Sequence, residues 1–407
     1  MKSSRPHRRL IKRLQTAAVT LALAVVLPVL LGVQAAQAQT FTLLHSFGVR
    51  QSDGGLPEAG LILDSAGNLY GTTAVGGSHD DGTVFKLDPT GKETILHNFG
   101  GGRGDGDGPI GLLRDATGNF YGTTYQGGTY FSGTVFKLGA NGVESVLHSL
   151  GGRGDHPLAG VVRDAAGNLY GTASVGGNPA CNGGCGIAFR VNTSGKEFLL
   201  HGFTGSPDGR YPAADLIRDK AGNLYGTTQR GGGGNCTPGC GTVFKLGPRG
   251  FETVLYRFAV PANGLYPSGG LVRDTAGNLY GVAGSGGDPT CSCGVVYKLD
   301  KSGVLTVLYT FKGGSDGALP VGNLVRDSAG NLYGVTQNGG NSNGQGVGTV
   351  YKLDTNGVET VLHSFAGFPN DGALPFAGLT RDSAGNLYGT TWGGGTNNGG
   401  TAFKLTP

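Results

Sequence analysis

Charge is scarce in this chain: Asp, Glu, Lys and Arg make up 14% of its 407 residues. It has one Trp, one Met and six Cys. A single Trp excludes a sugar site repeated with one indole per structural unit. The cysteines fall in pairs, so no loop supplies the four ligands of a structural zinc site. No G-x-S-x-G elbow occurs, and no Gly-rich phosphate loop precedes a helix. Beyond the first 38 residues no segment keeps a helical period, which excludes helical bundles and doubly wound folds. Metal-ligand spacings are absent as well, so no cofactor and no metal are expected.

Residues 1–38 read as an export leader. Lys2, Arg5, Arg8, Arg9, Lys12 and Arg13 form a basic start, an apolar run spans about Ala17 to Val33, and Ala36-Gln37-Ala38 is a small-x-small cleavage pattern. Cleavage after Ala38 predicts a periplasmic or secreted protein. An uncleaved N-terminal anchor is the alternative, because the apolar run is long. Arg8-Arg9 hints at a twin-arginine signal, but the strongly apolar run favours the general secretory route. Six of the 31 basic residues and none of the 27 acidic ones lie in the leader, so the remainder carries 25 against 27, a formal −2. The sequence pI of about 8.6 therefore belongs largely to the leader. A mature chain of this charge gives no reason to expect nucleic acid.

Glycine is abundant instead, at 82 residues. It comes with a strict period. The Tyr of the phrase R-D-x-A-G-N-L-Y-G-T-T recurs at Tyr70, Tyr121, Tyr170, Tyr225, Tyr280, Tyr333 and Tyr388, at intervals of 49 to 55 residues. Each unit reads as four short strands, A to D, exemplified by AGLILD, NLYGTT, GTVFKLD and ETILHNF. Four-stranded units at this period predict an all-β, seven-bladed β-propeller over residues 39–407. TFTLLHSFG at the start is a D strand with nothing before it, and the last unit stops after strand C. The first strand should complete the last blade and close the ring, leaving no blade without its outer strand.

Spacing separates two faces. From the Arg of strand A to the Tyr of strand B is always seven residues, and the strand C to strand D aromatic spacing is always 14. From the strand B Tyr to the strand C aromatic varies from 15 to 19, and from strand D to the next Tyr from 20 to 23. In an up-down blade the B–C and D–A loops share one face, which is where binding is expected.

The order P-x-x-G-L-x-x-D-x-x-G-N-L-Y-G-T-T, then G-T-V-F-K-L, then E-T-V-L-H-S-F, resembles the GloVer tandem-repeat family of exported bacterial proteins across nearly all of residues 40–407. It resembles the NHL-type propeller unit more distantly. The resemblance implies a propeller and export, and no particular reaction. Family members often carry C-terminal anchors, whereas this chain ends at Pro407 directly after a strand, so a soluble form is expected, with no membrane insertion once the leader is removed; a monomer is expected as well.

Most polar residues belong to the repeat and read as scaffold. Asp of the Arg-Asp pairs starts a turn, and Arg is expected to pair with an acid nearby. His45, His97, His148, His201 and His363 share one strand D position with Tyr256 and Tyr309, as an amphipathic packing residue would. Cys181–Cys185, Cys236–Cys240 and Cys291–Cys293 are expected to form disulfides within the B–C loops of blades 3, 4 and 5, although links between neighbouring loops stay open. Arg103-Gly104-Asp105 and Arg153-Gly154-Asp155 read as chance RGD tripeptides, and Asp105 and Asp107 as a weak calcium candidate at best.

The residues that leave the repeat on the variable face are His79, Asp80, Asp81, Asp155, His156, Arg210, Tyr211, Arg230 and Trp392. Among them, Trp392, Arg210, Tyr211, Arg230, Asp155 and His156 are the candidate ligand contacts, and no catalytic residue is assigned. The expected function is a non-catalytic binding module for a protein or glycan partner on that face. The alternative is an extracellular carbohydrate- or lactone-active enzyme at the channel mouth. It would require off-repeat polar residues converging at the axis.

Overall fold

Strand B of every blade is preceded by a turn that one carboxylate closes. In the computed structural model, which describes residues 39–48, 53–100, 102–152, 154–179, 181–341 and 346–407, this turn recurs seven times. Asp64 and its equivalents Asp115, Asp164, Asp219, Asp274, Asp327 and Asp382 accept the backbone N–H of the Asn four residues on, at 2.8 to 3.0 Å. The strand B Tyr then donates its hydroxyl to the same carboxylate, at 2.9 to 3.2 Å. One Asp side chain thus fixes both the turn and the first residues of the strand.

These strands form seven four-stranded units. In blade 1, strand A is Ile62–Leu63, B is Leu69–Thr73, C is Thr83–Leu87 and D is Glu93–Asn98. They are hydrogen-bonded in the order A-B-C-D. Blade 7 takes A from Thr380–Arg381, B from Leu387–Thr391 and C from Thr401–Thr406, and its D strand is Thr40–Ser46. The first strand runs antiparallel to the last, from Thr40 opposite Thr406 to Ser46 opposite Thr401. The ring is therefore closed as the two incomplete ends predict. The leader reading lies outside the described residues.

Strand A is bipartite, which the sequence does not suggest. Before its inner part, each chain segment pairs with the residues just past strand B, as Gly54–Gly55 does with Val75–Gly76 and Gly209–Arg210 with Arg230–Gly231. In blade 2 the two parts merge into one strand, Gly106–Arg114. Pieces of two residues rich in Gly carry no alternation, so they read as loop.

Two glycines of the repeat have a steric reason. A Cβ at Gly226 in strand B would lie 2.6 Å from the ring of Phe244 in strand C, so the missing side chain makes room for the aromatic. The Gly opening strand C has φ of 92 to 112° in blades 1, 2, 4, 5, 6 and 7 and 91° in blade 3. A Cβ there would meet the Pro of the next blade at 2.5 to 2.8 Å, as at Gly241 and Pro267.

Packing is concentrated between blades. Among the described residues there are seven buried apolar clusters, one per junction, each mixing strands of two neighbours; Tyr225, Val243 and Phe258 of blade 4 pack with Leu271, Val295 and Tyr297 of blade 5. On the seam, the strand A Arg lies over the Tyr of the preceding blade, at 5.3 to 5.8 Å from the ring centre in six junctions. The expectation that Arg pairs with an acid is thus corrected: no Arg–carboxylate salt bridge forms among the described residues, and the ring face takes the cation instead. Leu63 replaces Arg at the closing junction, where Lys404 covers Tyr388 at 5.9 Å.

Buried polar pairs change together. Five blades place two Thr hydroxyls in contact between strands B and C, as Thr228 and Thr242 at 2.8 Å. Blades 3 and 5 replace both members, with Ala173 beside Ile187 and Ala283 beside Val295. Losing one partner would strand a buried hydroxyl, whereas losing both costs little. Tyr297 and Tyr351 break this logic. Their hydroxyls are fully buried with no hydrogen-bond partner, at a position where the other five blades carry Phe.

Two substitutions should therefore move stability in opposite directions in urea unfolding. Tyr297→Phe should be neutral or stabilising by up to about 1 kcal/mol, since it removes an unpaired buried hydroxyl. Gly226→Ala should cost about 1–3 kcal/mol by overpacking against Phe244. A neutral Gly226→Ala would show that strand C yields freely.

Candidate functional site

The inner strand A segments line a central channel of about 380 Å³. Five blades present Gly at the position that faces the axis before the strand A Leu or Val: Gly60, Gly111, Gly160, Gly270 and Gly378. The other two present Asp215 and Asn323. These two reach each other past blade 5: Asn323 Nδ2 donates to Asp215 Oδ2 at 2.7 Å. Asp215 Oδ1 accepts the Gly160 N–H at 2.9 Å, and Asn323 Oδ1 accepts the Gly270 N–H at 2.8 Å. The amide orientation of Asn323 is set by these bonds, because Nδ2 must donate to the carboxylate while Oδ1 receives the N–H. One side of the channel is thus built from a carboxylate and an amide, and the other from Gly60, Gly111 and Gly378 backbone.

Nearer the variable face, the lining includes Glu58, Leu158, Ala213, Ser268 and Phe376, each two residues before that position, together with Ile110. Glu58 is the one ionisable group in this apolar collar. Glu58 is exposed as a residue, yet crowding of its carboxyl at the mouth raises its pKa, and the nearby Trp392 side chain opposes that rise. Trp392 also meets Phe376 edge to face, with ring centres 6.1 Å apart. Phe376 is 38% exposed, so this aromatic pair is open to solvent at the mouth.

The six expected ligand contacts do not form one site. Trp392 stands at the channel mouth with Glu58 and Phe376. Arg210, Tyr211 and Arg230 come together in a separate hollow with Gln229 and Pro238. Arg210 there donates to the Asn182 carbonyl at 3.0 Å, and Arg230 lies over the Tyr266 ring at 5.5 Å. Asp155 and His156 lie on blade 3, where His156 packs edge to face on Tyr125 at 4.8 Å. Tyr211 and His156 share a left-handed backbone position with Leu56, Tyr266, Leu319 and Leu374, so both belong to the repeat in backbone form. Ser78 bonds His79 at 2.9 Å, and the Asp80 carboxylate is spent on the Gly76 N–H within its own loop.

Glu58, Phe376, Asp215 and Asn323 escape sequence reasoning that looks only for unusual loops. They sit in or just before the inner part of strand A, at fixed positions of the repeat rather than in the loops of variable length. Lining up the seven copies column by column shows them as departures from Gly and from small or aliphatic residues.

The three cysteine pairs occur as expected, with Cα separations of 5.4, 5.2 and 5.2 Å. Each second cysteine also joins two blades. The carbonyls of Cys185, Cys240 and Cys293 accept the N–H of Tyr211, Tyr266 and Leu319, the left-handed residues of the following blade. Asp105 accepts the Gly100 and Gly106 N–H groups at 2.8 and 2.7 Å, which ties the first RGD carboxylate inward. Arg153 of the second lies outside the described residues. The pKa of Asp107 is raised by burial and by the charge of Asp81.

Four of the five strand D histidines, His45, His97, His201 and His363, pack edge to face on the Phe two residues on, as expected, with His97 and Phe99 at 4.7 Å; His148 has Leu150 there. Their outer nitrogens meet partners from other segments. His201 bonds Asp208 at 3.1 Å and His363 bonds Asp371 at 3.0 Å, both from the following D–A segment. In the Tyr309 junction, the hydroxyl donates to Asp316 at 2.6 Å. Glu252 and Glu359, which open strand D of the next blade, stand behind the His201–Asp208 and Tyr309–Asp316 pairs, and burial with the neighbouring Asp charge raises the pKa of each.

The Gloeobacter/Verrucomicrobia repeat model matches residues 33–237, 147–345 and 236–407. The chain belongs to this repeat family. Among solved structures, this Gloeobacter/Verrucomicrobia repeat propeller is similar to virginiamycin B lyase from Staphylococcus aureus, at 14% identity and a TM-score of 0.60, over 91% of this chain and 99% of the lyase. It is also similar to an extracellular domain of a one-component system from B. thetaiotaomicron, at 11% identity and a TM-score of 0.56, over 90% of this chain and 40% of the other. At these identities the likeness is one of fold. No curated protein matches the chain in sequence. Among the described residues no helix is long and apolar enough to cross a membrane.

The acids behind strand D give a pH prediction. Burial, with the Asp316 charge, pushes Glu359 up to about 7. A raised folded pKa means that the stabilisation is complete below the unfolded carboxyl range and is lost as pH rises through the folded value. Wild type should therefore lose urea stability relative to Glu359→Gln between about pH 5 and 8. A difference between the two proteins that stays constant over that range would show that Glu359 titrates normally.

Proposed function

We propose that this chain is an exported binding propeller that holds one carbohydrate, or a ligand equally rich in hydroxyls, at the channel mouth on the face of the B–C and D–A loops. The observation that carries this reading is the convergence of off-repeat residues on one path. Trp392 and Phe376 offer apolar faces at the entrance, Glu58 stands beside them, and Asp215 and Asn323 lie deeper. Aromatic faces against C–H groups, with carboxylate and amide groups for hydroxyls, is a chemistry suited to sugars. The channel volume of about 380 Å³ suits one or two sugar rings. Export is supported by three local disulfides, which persist in oxidising compartments, and by the leader pattern of residues 1–38.

The enzyme reading has one observation in its favour: Glu58 is a carboxyl of raised pKa at a channel mouth, as a general acid would be. It would act on a polysaccharide or lactone, and would need a base positioned across the substrate.

A glycan array probed with the exported chain tests both. Trp392→Ala and Asp215→Ala should each weaken the best signal about tenfold or more, a loss of about 1.4 kcal/mol. Arg230→Ala, in the separate hollow, should leave it unchanged. If Arg230→Ala abolishes binding while Trp392→Ala does not, the ligand sits in the wrong place in this account. Release of sugar products by wild type and not by Glu58→Gln would favour the enzyme.

A further inference from the structure

Where the two ends of the chain meet, the closing strand, the loop after it and blade 1 bring three side chains together. His45 comes from strand Thr40–Ser46, Asp53 from the following segment and Glu93 from strand D of blade 1. Their ligand atoms all lie within 4.8 Å of one another. His45 Nε2 is 3.6 Å from Asp53 Oδ1 and 3.9 Å from Glu93 Oε2. Neither is a hydrogen bond. His45 Nε2, Asp53 Oδ1 and Glu93 Oε1 are all sealed from solvent with no hydrogen-bond partner, and the Glu93 side chain is only 10% exposed.

The other junctions show what this cluster looks like when it is merely a staple. The His201 and His363 pairs close to 3.1 and 3.0 Å, His148 lies 3.2 Å from Glu197, and Tyr309 donates to Asp316 at 2.6 Å. At the Tyr256 junction, Asn263 donates to the Tyr hydroxyl at 2.8 Å. At the His97 junction, Asp105 Oδ1 already accepts the Gly106 N–H, so that set offers fewer free atoms. Among the described residues, the His45 set alone combines three unpaired ligand atoms with spacings too wide for direct bonds. Ligands held about 2.0–2.2 Å from a tetrahedral ion stand roughly 3.4 Å apart, close to the spacings seen.

We propose that His45, Asp53 and Glu93 bind a divalent transition-metal ion of the zinc class, which clips the closing strand to blade 1. One imidazole nitrogen and two carboxylate oxygens are a donor set such ions accept, with water free to complete the shell. An ion bound only by the closed ring would stabilise it in proportion to its concentration. This site is separate from the channel mouth, so it stands or falls independently of the carbohydrate reading.

The test is titration of the chelator-stripped exported chain with Zn²⁺, and with Co²⁺ as a spectroscopic probe. Expected are saturable binding at the His45 site, a Co²⁺ visible absorption band and a melting midpoint that rises with ion concentration. His45→Ala and Glu93→Gln should lose the band and the thermal shift at micromolar ion. His363→Ala, which removes the same repeat position one junction away, should keep both. Should His45→Ala fold poorly, Glu93→Gln carries the test, being isosteric. No saturable binding by wild type, or binding that survives Glu93→Gln and His45→Ala unchanged, overturns the proposal.

Discussion

The junction between blades is the contact on which everything else rests. A single four-stranded sheet of this repeat cannot bury its own apolar faces, and the buried clusters all span two neighbours. The strand B Tyr is central to each. Its ring packs in the junction cluster, its hydroxyl binds the turn Asp of its own blade, and its face carries the Arg of the next. Near the variable face, the Gly opening strand C and the Pro of the following blade are pressed together. Such a design stabilises only a complete ring, which is why the closing strand Thr40–Ser46 matters.

Regularity at the junctions leaves the axis free to vary. A position that is Gly in five blades can become Asp215 or Asn323, because those side chains extend into the channel rather than into a junction. Replacement in the junctions is more constrained. Thr pairs are exchanged as pairs, and Leu63 in place of Arg packs in the same apolar cluster as Tyr388 while Lys404 covers that ring. The residues offered to a ligand are therefore few, and they sit on a frame that changes little around them.

Much of the architecture is legible in the sequence because it is written seven times. The period, the four strands of each blade and the closing strand follow from spacing, whereas the cysteine pairing was one of several connectivities the sequence left open. The short ribbons beside the channel were not legible, since two residues such as Gly54–Gly55 carry no alternating pattern. Trp392 is visible as the lone indole, whereas Glu58 and Phe376 beside it lie at a fixed position of the repeat between the two parts of strand A. Arg210, Tyr211 and Arg230 do assemble, but in a hollow of their own. Asp155 and His156 look like an acid–base pair in the sequence, yet His156 packs against Tyr125.

By itself the sequence determined an all-β seven-bladed ring, its closure and the face on which its loops vary, because each depends on periodicity and on spacings along one chain. Only the tertiary structure decided which residues meet. Asp215 and Asn323 are 108 positions apart and bond past blade 5 along one side of the channel. His45, Asp53 and Glu93 converge from three segments around one junction. Such contacts depend on the angle at which one blade follows another, and no local pattern of residues encodes that angle.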